Sequence, residues 1–188
     1  MAVIAYQYRG ELVDQIHRGH IAVTDHTGRI LWKLGDPERL TFARSSAKPL
    51  QAIPVAESGA LEHYGITPQE LAVICSSHNG EPFHVKAVES ILHKAGLSPD
   101  QLCCGAEYPM YVPAEDALKI AGIPRAPIYC DCSGKHAGML ITAHHFGESL
   151  ENYTALEHPV QQRILSVFAE MCGVETSEVQ LAVDGCGV

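Results

Sequence analysis

The chain has 188 residues, of which 46% are hydrophobic and 19% charged, a composition typical of a globular domain that buries its own core. It carries 13 basic and 22 acidic residues, and the net charge of −9 argues against nucleic acid or an anionic membrane as the main partner. No apolar run approaches the roughly 20 residues of a membrane span.

The chain has seven cysteines, an odd number that cannot all pair within one chain. Residues 1–12 lack the basic and apolar regions of an export signal. Disulfide frameworks belong to exported proteins, whereas thiols stay reduced in the cytoplasm. We therefore expect a cytoplasmic protein with free thiols.

The N-terminal third alternates apolar and polar residues, which is the period of antiparallel strands. Three strands are predicted, at residues 3–10, 20–25 and 29–35, with turn residues between the second and the third. After Pro49 the period becomes helical, and a short helix is predicted over about residues 50–56.

Helix-start and helix-stop signals are frequent in the remainder of the chain. Thr67, Pro68 and Glu70 form the pattern of a capping box. Further helices are predicted over residues 82–95, 135–146 and 159–172. Short apolar segments predict buried strands at 71–74, 127–130 and 179–183. Early strands followed by mixed helices and strands indicate an α/β or α+β fold.

The chain ends at Val188, directly after the last predicted strand and a glycine-rich turn. Because termini usually lie in loosely held surface segments, we expect residues 1–188 to be the N-terminal portion of a longer single domain. An unpaired strand edge with apolar surface favours self-association, and we expect a homodimer.

The first candidate for chemistry is the pair Ser45 and Lys48, at the spacing S-x-x-K. Residues three apart share one face of a helical turn, so the lysine amine can accept the proton of the hydroxyl. The same spacing occurs in β-lactamase-like enzymes. Pro49 disfavours helical angles at Lys48, which predicts an irregular turn.

Two further segments have the composition of functional loops. Residues 75–81 are small or polar and follow an apolar run, and they contain Ser77. Residues 131–138 combine Cys132 and Lys135, which are three apart and can converge on one point. Cys186 lies in a second glycine-flanked turn, and two cysteines from separate loops can share a metal.

These motifs, in this order, resemble the zinc-associated L-asparaginase family of the rhizobial type. The matching segments are RSSAKPLQAIPVAESGA (44–60), ELAVICSSHNGEPFHV (70–85), CDCSGKHAGML (130–140), EHPVQQRI (157–164) and DGCGV (184–188). The resemblance implies a serine β-lactamase-like fold, in which an antiparallel sheet packs with helices. It also implies hydrolysis of L-asparagine to L-aspartate and ammonia.

The resemblance carries three sets of residues over to this chain. The catalytic set is Ser45, Lys48 and Ser77. The residues around the substrate are Arg44, His136 and Asp184. The Zn²⁺ ligands are Cys132, Lys135 and Cys186. We expect Ser45 to be the nucleophile and Lys48 its base, with Ser77 relaying protons or acting as the nucleophile instead.

Two other functions fit parts of the same pattern. A relative of β-lactamases or penicillin-binding proteins would use the Ser45 and Lys48 pair on lactams or peptides. A non-catalytic zinc-binding protein would use only the cysteine turns. The resemblance also implies a second lysine, the partner of Ser77, from beyond residue 188, so we expect the 188-residue chain alone to be a weak or inactive enzyme.

Overall fold

The structure is a computed structural model that describes every residue from Met1 to Val188, and it divides into two compact units. The first unit, Met1–Ala43, consists of two antiparallel hairpins. Strand β1 (Ala2–Arg9) pairs with β2 (Leu12–Gly19), and β3 (Ile21–Thr24) pairs with β4 (Ile30–Leu34).

Short polar turns connect the strands within each hairpin. The carboxylate of Asp25 accepts hydrogen bonds from the backbone N–H groups of Thr27 and Arg29, at 2.9 and 3.1 Å, and so holds the second turn. Strands β1, β3 and β4 confirm the sequence prediction. Strand β2 was not predicted, because its apolar residues do not alternate regularly along residues 12–18.

The second unit, Arg44–Val188, is helical. Its seven helices are α1 (Lys48–Glu57), α2 (Ala60–Tyr64), α3 (Pro68–Ile74), α4 (Pro82–Lys94), α5 (Val112–Ile120), α6 (Ser133–His145) and α7 (Pro159–Cys172). Four single 3₁₀ turns occur at Arg44–Ala47, Pro99–Gln101, Pro127–Tyr129 and Thr176–Glu178. None of the helices is both long and apolar enough to cross a lipid bilayer.

Helix α6 is the centre of the core, and every residue from Ser133 to Ala143 is buried. Helices α1, α3 and α4 pack around it. Gly134 lets the start of α6 approach the end of α3 closely. A Cβ atom at this position would lie 2.4 Å from the carbonyl oxygen of Val73 in α3. A glycine is therefore required where these two helices meet.

Three predicted strands are wrong. Residues 71–74 belong to α3, because the capping box of Thr67 and Glu70 starts a helix that continues through the apolar run. Residues 127–130 form a 3₁₀ turn that begins at Pro127, and residues 179–183 have no regular structure. Helices α1, α4, α6 and α7 confirm the predicted ones to within two residues at each end.

Antiparallel strands followed by helices agree with the predicted α+β class. The serine β-lactamase-like arrangement stays a prediction.

Candidate active site

Lys48 and Ser77, two of the predicted catalytic residues, contact each other in the helical unit. Lys48 is the first residue of α1 and is 2% exposed, whereas Ser77 follows α3 and is exposed. The Lys48 Nζ atom donates to Ser77 Oγ at 2.6 Å and to the carbonyl oxygen of Asp131 at 3.4 Å. The buried amine of Lys48 thus contacts the hydroxyl of an exposed serine. A base and its nucleophile can act from such a contact.

Ser45 and Arg44 lie in the 3₁₀ turn that precedes α1, and both are exposed. Arg44 has a φ of 51°, in the left-handed region that non-glycine residues rarely adopt. The hydrogen-bond partners of Lys48 are Ser77 and Asp131, and Ser45 is not among them. The turn is irregular, as Pro49 led us to expect, and it brings Lys48 to Ser77 rather than to Ser45.

His78 ties the Ser77 loop to the start of α6. Its imidazole is 3% exposed, its Nδ1 accepts from the backbone N–H of Gly80 at 3.1 Å, and its Nε2 lies 2.8 Å from Ser133 Oγ. The backbone N–H of His78 donates to the carbonyl of Asp131 at 3.2 Å. Burial lowers the pKa of His78 to about 4, so the ring is neutral near pH 7 and holds both neighbours through fixed hydrogen bonds.

The three predicted metal ligands come together although the last lies 54 positions after the first in the sequence. Cys132, Lys135 and Cys186 are 7%, 4% and 6% exposed, and Lys135 Nζ lies 3.0 Å from Cys186 Sγ. A hydrogen bond with Cys132, together with burial, raises the pKa of Cys186 to about 12 in the metal-free protein. Two sulfur atoms and one amine nitrogen therefore meet in a site closed to solvent.

His136 and Asp184 lie beside this group of three. His136 is fully buried, its Nδ1 is 2.8 Å from the hydroxyl of Tyr153, and its Nε2 has no hydrogen-bond partner. The Oδ1 atom of Asp184 accepts from the backbone N–H of Cys186 at 2.8 Å and so holds the glycine-rich turn. Burial opposes ionisation of Asp184, but these hydrogen bonds and Lys135 outweigh it and lower its pKa.

The donor set fits a thiophilic divalent metal such as Zn²⁺. Cysteine sulfur is a common zinc ligand, and Nε2 of His136 is a buried nitrogen on a side chain that interacts with Cys186. A second set overlaps the first, since ligand atoms of Cys130, Asp131 and Cys132 all lie within 4.8 Å of one another.

Sequence reasoning did not single out Cys130, His78 or Tyr153 as parts of the site. Cys130 had a signal, because it stands two residues before Cys132 in a Cys-Asp-Cys segment. His78 also had a signal, because it directly follows the predicted site residue Ser77. Tyr153 had no local signal, because only the fold brings it to His136.

The model of the L-asparaginase II family matches residues 5–188, which include every residue of the candidate site. The chain belongs to the L-asparaginase II family. No curated protein matches the chain. Membership supports an amide-hydrolysing enzyme of asparaginase type that acts on a small molecule.

Proposed function

We propose that this member of the L-asparaginase II family hydrolyses L-asparagine to L-aspartate and ammonia, with Ser77 as the nucleophile and Lys48 as its base. The observation that carries the proposal is the 2.6 Å contact between Lys48 Nζ and Ser77 Oγ. Amide hydrolysis needs a nucleophile within hydrogen-bond reach of a base, and this pair meets that requirement without further movement.

In its neutral form, the Lys48 amine takes the proton of Ser77 while Oγ attacks the side-chain carbonyl carbon of asparagine. A C–O bond forms, and the carbonyl electrons move to oxygen. When the tetrahedral intermediate collapses, the C–N bond breaks and Lys48 returns the proton to the leaving nitrogen, which departs as ammonia. Water then cleaves the aspartyl ester on Ser77, with Lys48 again as the base.

The other residues carried over from the resemblance have roles that suit their positions. The exposed guanidinium of Arg44 suits a substrate carboxylate, and the carboxylate of Asp184 suits a substrate ammonium group. Nε2 of His136 has no hydrogen-bond partner and suits a hydrogen bond to the substrate. Ser45, exposed one turn before Lys48, is then the second serine of the site rather than the nucleophile.

Cys132, Lys135 and Cys186 would hold a Zn²⁺ ion, which acts as a Lewis acid or fixes the two turns when bound. Lysine binds a metal only in its neutral form, so the site releases a proton on loading. Three protein ligands leave one tetrahedral position to be filled.

Single-serine variants test the assignment by ammonia release from L-asparagine. We expect Ser77→Ala and Lys48→Ala to lose a factor of thousands in kcat, as is usual when part of a nucleophile–base unit is removed. Ser76→Ala is the matched control, because the Ser76 hydroxyl donates to the carbonyl of Val73 in α3 and not to Lys48. If Ser45→Ala abolished turnover and Ser77→Ala retained it, Ser45 would be the nucleophile.

The same protein preparations also distinguish an asparaginase from a β-lactamase or penicillin-binding protein. An enzyme of penicillin-binding type would hydrolyse a chromogenic β-lactam and leave asparagine unchanged. We expect the reverse, because the family match describes an asparaginase.

A further inference from the structure

Residues 107–126, which we call the α5 segment, extend from the core of the helical unit. Glu107 and Ala126 pair at its base, where the backbone N–H of each donates to the carbonyl of the other, at 3.4 and 3.1 Å. The hydroxyl of Tyr108 donates to the carbonyl of Ile123 at 3.2 Å and ties the two ends together. Helix α5 lies between them, and none of its residues is buried. The segment is therefore not held in place by burial of its helix.

Two contacts attach the α5 segment to the loop that carries Ser77. The backbone N–H of Tyr111 donates to the carbonyl oxygen of Asn79 at 2.8 Å. Pro109, the one buried residue of the segment, lies against Gly80. A Cβ atom at Gly80 would lie 2.7 Å from the Cβ atom of Pro109, so a larger residue does not fit there. Both contacts fall within three residues of Ser77.

His78 fixes the same loop to the core. Its backbone N–H donates to the carbonyl of Asp131 at 3.2 Å, and its imidazole is buried. Ser77 and Asn79, on either side of it, are exposed, so packing against the core does not hold them. Ser77 Oγ lies 2.6 Å from Nζ of Lys48, and a hydrogen bond is lost beyond about 3.5 Å. A shift of the loop by about 1 Å would therefore separate the nucleophile from its base.

We propose that the α5 segment holds Ser77 in its reactive position, and that the backbone N–H of Tyr111 is the positioning contact. This inference rests on Ser77 as the nucleophile of the proposed function. Without the bond to Asn79 the loop is free to shift, and misplacement of a reacting group by about 1 Å can cost about 100-fold in rate. The loss falls on kcat rather than KM, because Tyr111 acts through Ser77 and not through the groups proposed to bind the substrate.

Tyr111→Pro tests the contact, because it removes the N–H and the φ of Tyr111 is −74°, which proline adopts without strain. We expect kcat for L-asparagine to fall at least tenfold and KM to stay within about threefold. Tyr111→Ala is the conservative variant that keeps the N–H, and it should restore kcat to within about threefold. Val112→Pro is the matched proline control, because Val112 is the first residue of α5, where proline is tolerated. Equal kcat values in Tyr111→Pro and Tyr111→Ala would overturn the proposal.

Hydrogen exchange followed by mass spectrometry gives a readout that does not depend on turnover. In Tyr111→Pro we expect faster exchange than in Val112→Pro for the peptide that contains residues 75–80, and equal exchange for peptides of α6. A fall in kcat with unchanged exchange of that peptide would overturn the positioning role. If the unsubstituted protein does not hydrolyse L-asparagine, the proposed function fails, and the exchange of this peptide still decides whether the α5 segment holds the loop.

The second contact keeps the proposal testable if Tyr111→Pro does not fold. Pro109→Ala keeps the Cβ atom that lies against Gly80, whereas Pro109→Gly removes it. We expect kcat of Pro109→Gly to be at least tenfold lower than that of Pro109→Ala, again with KM within about threefold. Equal kcat values in this pair would overturn the proposal.

Discussion

Replacement of Gly134 by alanine should disturb the fold and the active site together. The new Cβ atom would lie 2.4 Å from the carbonyl oxygen of Val73 and 2.6 Å from Cγ1 of the same residue. An ordinary contact is about 3.4 Å or longer, so α3 and α6 must separate by about 1 Å. The obstacle is a backbone carbonyl, which cannot rotate away as a side chain can.

Two opposing effects set the change in the free energy of unfolding in Gly134→Ala. Overpacking of this kind costs about 1–3 kcal/mol, and alanine regains up to about 1 kcal/mol of helix propensity. We expect a net loss of about 1–2 kcal/mol in the free energy of unfolding, or about 2–8 °C in Tm for a protein of this size. Because Ser77 follows α3 by three residues, a displacement of about 1 Å should also lower kcat by up to about 100-fold.

Alanine variants of two other glycines serve as comparisons for the stability of Gly134→Ala. In Gly138→Ala the Cβ atom meets a side-chain methyl group of Ile74 at 2.6 Å, so we expect a smaller loss than in Gly134→Ala. Gly185 has open space around the added atom, and Gly185→Ala should change the free energy of unfolding by less than about 0.5 kcal/mol. If thermal unfolding and asparagine turnover of Gly134→Ala both matched those of the unsubstituted protein, α3 and α6 would not approach as closely as described.

Two more predictions concern buried polar side chains. The folded pKa of His78, about 4, lies below the ordinary 6.5, so the unfolded chain binds the extra proton and the free energy of unfolding should fall as pH drops from 6.5 to 4. His78→Gln should reduce that slope by up to about 1.4 kcal/mol per pH unit in urea titrations, and an unchanged slope would refute the assignment. Tyr153→Phe leaves the backbone N–H of Cys103 and Nδ1 of His136 without a partner, at a cost of about 1–3 kcal/mol. Tyr111 is 38% exposed, so Tyr111→Phe should cost less than about 0.5 kcal/mol, and equal losses in the two tyrosine variants would contradict this reasoning.

Elements with strong local signals were predictable from the sequence. Helix α7 has a proline at its first residue and a glycine after its last, with apolar residues at helical spacing between them. Residues 71–74 were mistaken for a strand because a four-residue apolar run has no period of its own. Only the capping box at Thr67 could decide between the two structures, and it starts a helix.

The structure brings several of the residues predicted for the candidate site into contact, but it pairs them differently from the sequence prediction. Spacing along the chain placed Lys48 with Ser45, three residues away, because local periodicity describes only near neighbours. The amine instead bonds Ser77, 29 residues away, through packing of α1 and α3 beside α6. The contact between Lys135 and Cys186, 51 residues apart, likewise depends on long-range packing that no motif encodes.

The central claim is that Ser77 carries the acyl group during amide hydrolysis. The most direct test is peptide mapping by mass spectrometry after acid quenching of the protein in steady-state turnover of L-asparagine. We predict an aspartyl ester on the peptide that contains Ser77, present in Ser76→Ala and absent from Lys48→Ala. An aspartyl ester on Ser45 would contradict the account.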